Sequence, residues 1–226
     1  MRLTLTTGII LFFTLFTTAQ EWVRQNPFAK LSQMYDIDFD GKHGIAVGAD
    51  ATIFTTDDGG NTWVPRLATQ YATDLHAAHV VPGTMGQLML AGGGQVLLLS
   101  ENGGETWKTS HDEVPNVYKI QSLEDGTIIA LGSDFGLYSI DEGLLWEPFN
   151  MPGFGVIAGH FTSIMNGWAQ FGEFGHHQVF VTTDGGLNWG LRNPQEFPLI
   201  TYIEMLNDSV GFLASRDYVY KTYDGG

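Results

Sequence analysis

Short runs of β-type composition separated by turn residues occupy most of the chain. In one stretch they are Tyr35 to Phe39, Gly44 to Gly48 and Thr52 to Thr56; in another they are Val117 to Ser122, Thr127 to Gly132 and Gly136 to Ser139. Runs of this length, bounded by Gly, Asp, Asn and Ser, predict strands joined by tight hairpins. The second run of each set is rich in small residues, as in Gly44-Ile45-Ala46-Val47-Gly48 and Gly211-Phe212-Leu213-Ala214-Ser215. Small side chains suit close backbone approach, so these second strands are expected near a crowded axis.

The runs repeat with a period. Thr56-Asp57-Asp58-Gly59-Gly60-Asn61-Thr62-Trp63 returns as Ser100-Glu101-Asn102-Gly103-Gly104-Glu105-Thr106-Trp107 and as Ser139-Ile140-Asp141-Glu142-Gly143-Leu144-Leu145-Trp146. A fourth copy is Thr182-Thr183-Asp184-Gly185-Gly186-Leu187-Asn188-Trp189, and the chain stops within a fifth, Thr222-Tyr223-Asp224-Gly225-Gly226. The shared glycines Gly60, Gly104, Gly143, Gly186 and Gly226 are 44, 39, 43 and 40 residues apart. Intervals of about 40 to 50 residues match one four-stranded propeller blade. The expected fold is therefore an all-β propeller of about five blades, near residues 35–70, 71–112, 113–150, 151–194 and 195–226.

Each box has a local reason for its residue types. A short Asp or Asn (Asp58, Asn102, Asp141, Asp184, Asp224) accepts hydrogen bonds from its own turn. The glycine two positions later permits positive φ, and the Trp buries its ring beneath the hairpin. Leu145 and Asn188 replace a Thr and are expected to weaken their turns. The pattern resembles the Asp-box, or BNR, repeat of sialidases, sortilin-type receptors, some xyloglucanases and photosystem II stability/assembly factor-like proteins. That resemblance implies a structural role for the boxes, at the blade periphery.

The ends carry further signals. Met1-Arg2, the apolar Ile9 to Phe16 and the small Thr17-Thr18-Ala19 read as a secretory leader over residues 1–20 cleaved after Ala19, and so imply a secreted or periplasmic protein. Segment 21–34, beginning Glu21-Trp22-Val23-Arg24, resembles the outer-strand openings at Trp63 and Trp189, so Trp22 is expected to close the ring. Because Gly226 falls inside a box, further blades are expected beyond it. No run is long and apolar enough for a membrane span.

Charge narrows the partners. The 10 basic and 25 acidic residues become 9 and 25 without the leader, which loses Arg2 and no acid, a formal charge of −16. Such a surface disfavours nucleic acid. Cysteine is absent, so neither disulfide nor thiolate chemistry is available.

No catalytic set stands out. Beyond the leader the arginines are Arg24, Arg66, Arg192 and Arg216, and three follow a box-type Trp, away from the axis where a sialidase would gather them. His176-His177 and His76-x-x-His79 read as turn or surface histidines, since strand spacing does not put both rings on one face. Phe154, Phe171, Phe174 and Trp168 are aromatic residues of the fourth unit, expected between blades or as a carbohydrate or peptide platform. The turns between second and third strands carry Asp50, Asp134, Glu173 and Asp217, which would ring one mouth of the channel and suit a cation or a basic peptide. Taken whole, the chain resembles exported photosystem II stability/assembly factor-like repeat proteins. The plant and cyanobacterial members of that family assist photosystem assembly through a basic patch that this acidic chain lacks. The expected function is a non-catalytic module for a protein or glycan partner, without cofactor or metal. The alternative is a carbohydrate-active hydrolase completed by residues outside this sequence.

Overall fold

The computed structural model describes residues 32–67, 70–71, 73–114, 116–153, 158–173, 176–192 and 196–226. Residues 1–20, read above as a leader, and Trp22 lie outside them. The described residues form five antiparallel sheets and no helix, so none contains a helix able to cross a membrane. Sheet one is β1 (Met34–Asp40), β2 (His43–Gly48), β3 (Thr52–Thr56) and β4 (Val64–Leu67); sheet two is β5 (Leu75–Val80), β6 (Met89–Gly93), β7 (Gln95–Ser100) and β8 (Lys108–Val114). Sheet three is β9 (Val117–Ser122), β10 (Ile128–Gly132), β11 (Gly136–Ser139) and β12 (Glu147–Phe149). Sheet four is β13 (Gly159–Phe161), β14 (Gly167–Glu173), β15 (His176–Thr182) and β16 (Gly190–Leu191), and the fifth has β17 (Ile200–Met205), β18 (Gly211–Ser215) and β19 (Val219–Thr222). Each is a meander in chain order, and together they are blades of a β-propeller.

The cores lie between blades rather than within one sheet. On β7, Val96 and Leu98 face blade one, joining Ile45, Val47, Ile53 and Trp107, while Leu97 and Leu99 turn to blade three, joining Ile120, Ile128 and Trp146. Period-two alternation with a neighbour on both sides makes an inner strand read as a continuous apolar run. Leu131 and Phe161 join blades three and four, and Trp168, Val179, Ile200 and Ile203 join blades four and five. One face of the first and fifth blades has no such partner among the described residues: Ile37 is 56% and Val219 75% exposed.

The first strands, not the second, are innermost. A channel of about 430 Å³ is lined by residues of β1, β5, β9, β13 and β17. The small residues of the second strands answer a different crowding. A Cβ on Gly93 would stand 1.9 Å from the carbonyl oxygen of Asp74, where β5 begins, so backbone approach within the blade imposes the glycine.

The box hairpins hold one geometry. The Ser or Thr hydroxyl accepts the N–H of the shared glycine at 3.0, 2.8, 2.9, 2.9 and 2.7 Å for Thr56, Ser100, Ser139, Thr182 and Thr222. It also donates to Asp58, Asn102, Asp141, Asp184 or Asp224. Four of those side chains in turn accept the N–H of Thr62, Thr106, Leu145 or Asn188, each at 2.9 Å. Asn188 is not the weak replacement expected, because its Nδ2 reaches Asp184 at 2.8 Å, as the Thr62 hydroxyl reaches Asp58 at 2.6 Å. Leu145 has no such group. Trp107 and Trp146 are buried, with Nε1 donating to Gly104 and Gly143 carbonyls at 3.1 Å, whereas Trp63 and Trp189 are half-buried. Gly104 also packs against blade one: a Cβ there would meet Thr55 Cγ2 at 2.6 Å, at a φ of +82°.

Candidate functional site

The channel mouth is shaped by a recurrent backbone irregularity. In β1 the partners of β2 pass from Met34 to Asp36, and in β5, β9 and β17 they pass from Leu75 to Ala77, Val117 to Lys119 and Ile200 to Tyr202. The skipped residues are Tyr35, His76, Tyr118 and Thr201. A bulge leaves its extra residue out of the ladder and re-aims the side chain. The Tyr35 and His76 rings lie 4.6 Å apart at 50°, and His76 and Tyr118 lie 5.9 Å apart at 40°. Three successive blades thus present an arc of tilted rings.

Carboxylates secure this arc at its edge. Tyr35 donates its hydroxyl to Asp74 Oδ2 at 3.2 Å, and Asp74 Oδ1 accepts the Asp50 N–H at 3.0 Å. Desolvation and the neighbouring charges of Asp74 and Asp50 push the Tyr35 phenol up.

Further along, side chains close the inner edges of blades two and four. An innermost strand has unpaired N–H groups facing the axis. The carboxylates of Asp36 and Asp38 accept those of Ala78 and Val80, each at 2.8 Å, and Asp40 accepts the N–H of Gly83, in the turn after β5, at 3.0 Å. Gln121 does the same for blade four, accepting the Phe161 N–H at 3.2 Å and donating to its carbonyl at 2.8 Å. His79 bridges blades one and three, with Nδ1 2.9 Å from Asp38 Oδ2 and Nε2 2.7 Å from Ser122 Oγ. Burial pushes the Asp38 carboxyl up, but the bonds from His79 and the Val80 N–H outweigh it and hold the group below its ordinary range. Asp36 goes the other way, because burial outweighs its backbone bonds.

Lys119, His160 and Glu204 meet on the far wall. Lys119 Nζ is 3.4 Å from Glu204 Oε2 and from His160 Nδ1, and stands 5.0 Å from the centre of the Tyr202 ring. Tyr202 donates its hydroxyl to Glu204 at 3.2 Å. The His160 bond, then the Lys119 charge, hold the Glu204 carboxyl down at about 2 against the effect of burial. Burial pushes the Lys119 ammonium down, and Glu204 partly restores it.

The box residues sit at the opposite end of the blades from this mouth. Gly44 pairs with both Phe39 and Thr56, near the far end of β1, whereas the turn holding Asp50 follows Gly48, opposite Met34. Of the four turn acids, Asp50 lies beside Asp74 and Tyr35, while Asp134 and Asp217 are exposed on their turns. Glu173 ends β14 opposite His176. No group of three His, Cys, Asp or Glu among the described residues is placed to hold a metal ion.

Two histidines depart from the turn or surface reading. His79 and His177 are 9% and 8% exposed, and His177 Nδ1 lies 2.5 Å from Gln170 Nε2. Trp168 is buried and donates to the Gly225 carbonyl at 2.9 Å, so it fills space between blades. Phe171 packs edge-on against Phe180, and Phe154 and Phe174 lie outside the described residues.

Comparison with known proteins adds the fold. No family model matches the chain. A photosystem II stability/assembly factor HCF136, chloroplastic, of Guillardia theta is 55% identical over 38 residues, which are 16% of this chain and 10% of that protein. An ancestral GH74 enzyme superposes with a TM-score of 0.67 at 14% identity, covering 84% of this chain and 30% of its own. A YCF48 bound to a D1 peptide gives 0.53 at 16%, covering 86% and 79%. The WD40 β-propeller domain of Doa1 gives 0.63 at 15%, covering 86% and 65%. What these structures share with the chain is the propeller. The chain thus spans about a third of the GH74 enzyme, and the curated match spans a tenth of its relative.

Proposed function

We propose that this chain is an exported binding module of the photosystem II stability/assembly factor-like kind, with Asp-box hairpins as its frame and the axial mouth as its binding surface. The occupant is an extended segment of another protein. The observation that carries this reading is the bulge in four of the five first strands, which turns Tyr35, His76 and Tyr118 out of the ladder and into one arc. Natural sheets use bulges to re-aim side chains beside functional sites. A YCF48 of the same fold holds a D1 peptide, which supports a peptide-sized occupant here. Binding is favoured over glycoside hydrolysis because the channel carboxylates are engaged. Asp36 and Asp38 hold backbone N–H groups, and Glu204 is tied to Lys119 and His160. A hydrolase needs two such groups facing a scissile bond.

A random-peptide display selection on the full chain tests this, with each selected peptide mapped by hydrogen exchange. Protection is expected at the starts of β1, β5 and β9. Peptides that protect only the box hairpins, or a selection that returns none, would sink the reading.

A further inference from the structure

The channel shows how it treats a cation. Lys119 rests its ammonium 5.0 Å from the Tyr202 ring centre, with Glu204 at 3.4 Å and the Tyr202 hydroxyl donated to that same carboxylate. A phenol that donates to a carboxylate is fixed in place and presents a more electron-rich face, and both effects favour a cation on the ring.

The opposite wall repeats these components. Tyr35 donates its hydroxyl to Asp74 as Tyr202 does to Glu204, the Asp50 charge lies near enough to act on the same phenol, and the Tyr118 ring extends the surface beyond His76. Among the described residues no Lys or Arg pairs with Asp74 or Asp50, or stands over Tyr35 or Tyr118. Among the described residues Lys119 is the one Lys or Arg lining the channel, where Asp36, Asp38 and Glu204 also lie. The wall therefore offers negative potential and ring faces with no internal cation to use them.

We propose that Tyr35, His76 and Tyr118, with the carboxylates of Asp74 and Asp50, seat a lysine or arginine side chain of the bound segment. This rests on the reading of the mouth as a peptide site and specifies its chemistry. The ammonium or guanidinium lies on the faces of exposed Tyr35 and half-buried Tyr118 with Asp74 beside it, as Lys119 lies on Tyr202 beside Glu204. A glutamate in that place would meet like charge, and a glutamine would gain no cation–π attraction.

The test titrates acetyl-Gly-Arg-Gly-amide and its Lys, Gln and Glu counterparts into the full chain, following the ring protons of Tyr35, His76 and Tyr118 by NMR. The Arg or Lys peptide is expected to bind about tenfold more tightly than the Gln peptide, and to weaken as salt is added. Asp74→Asn keeps an oxygen for the Asp50 N–H and should fold, yet lose most of that preference. Tyr118→Leu tests the ring separately, and the salt dependence is read on the unaltered protein. Equal binding of the Arg, Lys and Gln peptides, or an Asp74→Asn protein with its preference intact, overturns the seat. If displayed peptides still protect the mouth in that case, only the seat fails; if none does, the mouth reading fails with it.

Discussion

The rim and the axis of this propeller follow opposite rules. At the rim, five hairpins spend closely similar residue types on one shared bond, and the Ser or Thr hydroxyl accepts the glycine N–H at 2.7 to 3.0 Å throughout. At the axis, the bulged position holds Tyr35, His76, Tyr118 or Thr201, and the next carries Asp36, Ala77, Lys119 or Tyr202. One backbone device recurs while its side chain changes. Repetition that preserves chemistry marks a part of the frame, and repetition that preserves only geometry marks a place where side chains are free to be chosen for something else.

If the rim is frame, its loss must show in stability before anything else. Trp146→Ala removes a buried ring that contacts blade two and donates to Gly143 and Ser110, and should cost about 3 to 5 kcal/mol in denaturant unfolding. A cost below about 1 kcal/mol would mean the rim is decoration. The axis makes a smaller demand on the fold. His79→Ala leaves Ser122 without its partner and Asp38 with backbone N–H groups alone, and is expected to cost about 1 to 3 kcal/mol. Adding Ser122→Ala to it should cost little more, because the bond is already gone. Full additivity of the two would show that the bridge between blades carries no coupling.

The same contrast separates what is legible in the sequence from what is not. The boxes were legible because one Gly recurs at near-constant spacing, followed by Trp in the four complete copies, and their role is local enough for residue type to determine it. The channel was not. His76 and His79 are three apart, which on a regular strand sends them to opposite faces; the bulge at His76 resets that parity, so both line the channel. Nothing in the composition of β5 announces a bulge. Asp50 was visible as a turn acid, but the carboxylate that organises it, Asp74, stands in the irregular link before β5, where no period points to it. The polar alternation of Asp36-Ile37-Asp38-Phe39-Asp40 was the available signal, beside second strands that are almost wholly apolar.

The gentlest way to sharpen the contrast is to titrate it. Glu204 belongs to the axis, and its carboxyl is held down at about 2, first by the His160 bond and then by Lys119. A carboxyl depressed in the folded state contributes stability that is complete above its unfolded pKa, near the ordinary glutamate value of about 4.3, and is lost as pH falls toward 2. Glu204→Gln removes that contribution. The variant should therefore be less stable than the parent near neutrality and converge on it in acid, with thermal midpoints compared from pH 7 down to pH 2. Asp58 at the rim is also held at about 2, by the Thr62 and Thr56 bonds, and gives the control. Its bonds lie within one solvent-exposed turn, so Asp58→Asn, which reproduces the arrangement present at Asn102, should move the curve less at every pH. If the two variants trace the same profile, the charge on the axis does nothing that the rim does not, and the division between frame and chosen side chains fails at the residue where it was easiest to measure.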